Sequence, residues 1–160
     1  MKTNELCSGV PTSVQYPCAV RRLSLKWDGK EWSIVHEQVV PSMTLPSPPR
    51  FDAPAMRGFW VEAIGTAGRM FHREVMSHPL LGVELFEADG TIRRHPKART
   101  EITIEALIPA LPEITEVHVV STYTPGIAAN AKGALPDRAV LKLSSLPRDP
   151  ARKNAGNSSG

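Results

Sequence analysis

Five histidines and one dense run of cations are the residues of this 160-residue chain whose types and spacing could do chemistry. His72 and His78 flank Glu74. On a strand, His72 and Glu74 would share a face while His78 falls past the strand's end, so at most two ligands align where a catalytic zinc needs three. No metal is expected. His72, His118 beside Glu116 and His36 before Glu37 all read as solvated strand residues. Ser121 and His118 are close in sequence but fall on opposite faces of a strand, the wrong geometry for a nucleophile and its base. The one Gly-x-Ser-x-Gly match, residues 156–160, falls in the polar tail rather than on a strand-to-helix elbow, and the sequence contains no glycine-rich phosphate loop. These observations point away from an enzyme and from a bound cofactor.

The densest charge cluster is Arg93-Arg94-His95-Pro96-Lys97-Ala98-Arg99. Pro96 keeps the stretch extended with its side chains outward, and four cations within seven residues exceed what near neighbours can neutralise. Arg93, Arg94, Lys97 and Arg99 are therefore the candidate contacts for an acidic protein partner. Nucleic acid ranks behind, because the run lacks the interleaved aromatics on which bases stack. Trp60 and Phe86 stand on the opposite parity from Val61 and Leu85. If one sheet face is uncovered, they would join the contact surface as an apolar patch.

The elements that must position these residues are short. Runs of five to nine residues rich in Val, Ile, Leu and aromatics are cut repeatedly by Gly, Pro or Asp-Gly. Leu23, Leu25 and Trp27 alternate with Arg22, Ser24 and Lys26, and Asp28-Gly29 then turns the chain. From Trp32 to Val40 the apolar parity changes midway, which predicts a bulge. Prolines at 41, 46, 48, 49 and 54 mark a stiff connection. Hairpins are expected over 58–75 and 83–94, and further strands over 102–108, about 117–123 and 139–146. The expected organisation is a flexible arm over 1–19, one β-sandwich domain over 20–147 and a disordered tail over 148–160.

Gly58-Phe-Trp-Val-Glu-Ala-Ile with Gly65 and Gly68, and the stretch from Ile102 to Val119 with its Leu111-Pro112 crossing, resemble strands of fibronectin type III and immunoglobulin-like domains. The tyrosine of that family's sixth strand is absent, and Ile114 to Val117 occupies its place. The resemblance implies an immunoglobulin-like antiparallel β-sandwich of about eight strands, and recognition rather than chemistry.

At this length one domain can bury a core without disulfide staples. A 41% hydrophobic and 22% charged composition excludes wholesale disorder, and the net charge of +3 is too small to mark a nucleic-acid binder by itself. No 18-residue apolar run that could span a bilayer and no secretory leader pattern is read from the sequence, so a cytoplasmic setting is expected. Cys7 and Cys18 are expected as free thiols. The function anticipated is a non-catalytic interaction or accessory module, with a larger bacterial assembly as one setting for it. A small-ligand or carbohydrate-binding module is the alternative, and a hydrolytic enzyme ranks third.

Overall fold

The computed structural model describes residues 12–47, 58–79, 83–86, 88–95, 101–122 and 137–146, with only the backbone for 83–86 and 93–95. These residues are all-β. The strands are β1 (Cys18–Trp27), β2 (Trp32–Met43), β3 (Gly58–Gly65), β4 (Met70–Met76), β5 (Val83–Phe86), β6 (Ile92–His95), β7 (Ile102–Pro109), β8 (Ile114–Thr122) and β9 (Arg138–Lys142). Seven of them form two antiparallel sheets, one ordered β2-β1-β7 and the other β4-β3-β8-β9, and β5-β6 is a separate hairpin. No described helix is long and apolar enough to cross a membrane.

Alternation builds the core. Leu23, Leu25 and Trp27 from β1 and Ala106 and Ile108 from β7 face Phe59, Val61 and Ala63 from β3 and Val117 and Val119 from β8. Trp27 and Trp32 pair across the first hairpin with ring centroids 5.8 Å apart. Its turn is tied locally, since Asp28 Oδ1 accepts the N–H groups of Lys30 and Glu31 at 2.8 and 2.9 Å, and Gly29 takes φ 98°. The parity change predicted in the second strand is a bulge: Ser24 pairs with His36 and Leu25 with Ile34, leaving Val35 extra and 53% exposed. β2 continues through Pro41, which an edge strand tolerates because its outer side carries no ladder bond.

The N-terminal expectation needs amending. β1 begins at Cys18, Thr12 N–H donates to Met70 O at 2.7 Å, and Val14 packs against the core, so residues 12–19 are tied to the sandwich. Residues 1–11 and the expected tail over 148–160 lie outside the described residues.

Candidate functional site

The outer face of the four-stranded sheet carries a chain of charged side chains. Its origin is parity: Trp60, Glu62 and Ile64 alternate with the core-facing Phe59, Val61 and Ala63. Register then sets Glu62 between Arg73 on β4 and His118 on β8. Glu62, 1% exposed, accepts from Trp60 Nε1 at 2.8 Å and from Arg73 Nε and Nη2 at 3.0 and 2.7 Å, all at Oε1. The Arg73 guanidinium also lies over the Trp60 ring, 5.9 Å from its centroid.

Glu62 Oε2 has no hydrogen bond, and Arg138 Nη1 stands 3.7 Å away. The same Nη1 is 2.8 Å from His118 Nδ1. A guanidinium can only donate, so Nδ1 is the acceptor and Nε2 carries the proton toward Glu116 Oε2 at 3.1 Å. Hydrogen bonding from His118 is the main cause holding the Glu116 carboxyl below its ordinary range. The network can hold a proton position and bind strands together. Its central carboxylate is closed to solvent.

Several sequence expectations change here. His72 and His78 are 3% and 8% exposed, and burial pushes both imidazoles down to about 4. They are core-flank residues rather than solvated ones, because His72 sits opposite the core residue Ala63 and the His78 ring packs edge-on against Phe59, with centroids 5.5 Å apart. His118 is likewise buried, as the neighbouring β9 brings Arg138 over it. His36 is exposed, as read from the sequence.

Sequence reasoning missed a serine–histidine pair. Ser121 Oγ lies 3.0 Å from His78 Nε2, joining β8 to the segment after β4. With Ser121 at 1% exposure its hydroxyl is shut away from any substrate, and the pair serves packing. His72 and Glu74 do share a face toward the interior, both paired opposite core residues of β3. Among the described residues no third imidazole, thiol or carboxylate gathers with them into a metal-sized cluster.

The candidate contact residues divide. Trp60 is 3% exposed and hydrogen-bonded to Glu62, so it does not form part of an open patch. Phe86, Arg93 and Arg94 lie on the β5-β6 hairpin, where Phe86 is paired with Ile92, Leu85 with Arg93 and Glu84 with Arg94. The hairpin turn is shaped by Asp89, whose Oδ1 accepts from Thr91 N and Oγ1 at 2.9 and 2.6 Å, with Gly90 at φ 80°. Lys97 and Arg99 lie outside the described residues. Set against protein-family models, curated proteins and solved structures, the chain matches none.

Proposed function

We propose that this chain is a non-catalytic β-sandwich interaction module that docks an acidic protein partner through the β5-β6 hairpin and the basic run that follows it. The observation that carries this is the hairpin's independence: it pairs with neither sheet, and Ile92 on it is 58% exposed. An exposed apolar residue next to Arg93 and Arg94 combines the two components of a protein contact, buried apolar area and charge steering.

The immunoglobulin-like reading draws support from the larger sheet. Taking β3, β4, β8 and β9 as the family's C, C′, F and G strands, the order β4-β3-β8-β9 agrees with its C′-C-F-G arrangement, and β7 takes the place of strand E. The smaller sheet departs from that plan. There the first strand is central and the second is at the edge, whereas the family order A-B-E puts the second strand in the centre. The likeness favours recognition by fold analogy alone.

The test compares the full chain with a variant carrying Arg93→Glu, Arg94→Glu and Arg99→Glu, both checked for an unchanged circular dichroism spectrum. Each is used to capture proteins from the native source at low and high salt. Proteins of low isoelectric point held by the wild type should be released by salt and lost from the variant. Retention of every captured protein by the charge-reversed chain would refute the hairpin as the docking element.

A further inference from the structure

A cavity of about 390 Å³ opens on the flank of the sandwich where the edge strands β4 and β7 meet, at the small end of the range for ligand sites. Leu45, Pro46 and Leu107 give it apolar walls, Ser47 adds a hydroxyl, and β4 lines it along 72–75, with the His72 and Glu74 side chains on the inner face and those of Arg73 and Val75 on the outer one. Glu74 Oε2 accepts the Leu107 N–H at 3.0 Å. Among the described residues Glu74 has no ion-pair partner, and the guanidinium next to it in sequence, that of Arg73, is bonded to Glu62 on the opposite face of the sheet. Loss of water raises the Glu74 carboxyl, the expected response of an acid held in an apolar flank without a cation.

His72 adds a second unmet group. Its Nδ1 is buried with no hydrogen-bond partner. Burial also keeps the imidazole neutral at pH 7, so it contributes no positive charge. The cavity therefore offers a carboxylate, a neutral imidazole and apolar walls. A cation gains there from both the carboxylate's charge and the low local dielectric, while an anion is repelled and a neutral alcohol leaves the charge uncompensated.

We propose that this cavity binds a primary ammonium ion carried on a short alkyl chain, the ammonium meeting Glu74 and His72 and the chain lying against Leu45, Pro46 and Leu107. The site is independent of the hairpin surface and stands or falls separately from it. The full-length protein is titrated with n-butylamine hydrochloride, 1-butanol and sodium butyrate at neutral pH, reading amide and imidazole chemical shifts. The amine should give saturable shifts at residues 72–75 and 107, and should outbind both the alcohol and the acid.

Glu74→Gln keeps an acceptor for the Leu107 N–H, and should weaken the amine roughly tenfold or more because a charge-assisted bond is lost. Ser47→Lys, at an exposed position on the cavity lining, leaves the carboxylate in place and should weaken the amine through like-charge repulsion. An amine that shows no saturable shift at millimolar concentration, or binds no better than butanol, overturns the assignment. So does amine affinity that survives both substitutions in folded protein.

Discussion

His72 and His78 are largely buried imidazoles that stay neutral at pH 7, and their titration makes the fold less stable in acid. Each is pushed down to about 4 by burial, against an ordinary value near 6.5. As pH falls through the unfolded value, the unfolded chain takes up protons that the folded chain refuses until about 4. Their contribution is therefore present above pH ~6.5 and lost on the way down to pH ~4. Glu74, raised in the folded state, acts with the opposite sign, since its protonation in acid favours the fold and returns part of the loss. The unfolding free energy from urea titration should accordingly drop across this window, by about 3 kcal/mol for each imidazole at most. His72→Leu, which cannot titrate, should flatten about half of that slope. An equally steep acid loss in the variant would show that His72 is not held neutral in the fold.

What the sequence concealed at this scale is burial of polar groups. Alternation alone puts Arg21 in the inward row of Leu23, Leu25 and Trp27, and in the structure it is 1% exposed. Its Nη1 donates to Ser144 O at 2.9 Å and pairs with Glu37. Neither partner is near it in sequence, so only the assembled fold supplies the compensation that a buried guanidinium requires. Glu62 is the same case, since parity gave its face but β4 and β9 supply its cations.

Among the elements, β3 is the most constrained, because both of its neighbours bulge against the same end of it. Phe71 is extra between the pairs Ala63–His72 and Ile64–Met70, and Thr115 is extra between Ile64–Glu116 and Gly65–Ile114. The two irregularities meet at Gly65. A Cβ there would lie 2.5 Å from Phe71 Cε2 and 2.7 Å from Glu113 O, so the glycine is required by close approach rather than by its φ of −106°. The displaced Thr115 turns its carbonyl to Leu143 N–H at 2.9 Å and so anchors the segment after β9. Gly65→Ala should cost about 1–3 kcal/mol of stability, the range for overpacking against atoms that cannot step aside. A urea midpoint unchanged by this substitution would mean that the two bulges do not converge on β3. The bulge at Val35 was legible because apolar parity changed within the strand. The one at Phe71 was not, since Met70 and Phe71 are both apolar and give no break in pattern. His118 and Glu116 alternate as polar residues should on a wet face, and only the pairing of β8 with β9 shows that the face is covered.

At the scale of the whole molecule, the two sheets are joined along both flanks by polar side chains. On one side Glu74 of β4 accepts the Leu107 N–H of β7, and on the other Arg21, Glu37 and Ser144 link the smaller sheet to the segment after β9. Edge strands whose backbone groups meet side chains of the facing layer are less open to pairing with other chains. The N-terminal segment provides a third tie, because it touches both sheets. Thr12 bonds Met70 O beside β4, Ala110 N–H donates to Ala19 O at 2.7 Å beside β7, and Val14 packs on the core. Two protein versions, one starting at Thr12 and one at Arg21, isolate this contribution. The shorter version loses those two hydrogen bonds, the pairing of Cys18 with Met43 and that of Val20 with both of its neighbours, and the partly buried Val14. Net values near 1 kcal/mol per hydrogen bond, a similar amount for Val14 and about 1.5–3 kcal/mol for the fully buried Val20 place the loss at about 5 kcal/mol or more. Urea unfolding followed by tryptophan fluorescence reads it directly, since Trp27 and Trp32 lie within the core that the segment helps to close. Coincident curves for the two versions would mean that the sandwich is complete from Arg21 onward and that residues 12–20 add nothing to it.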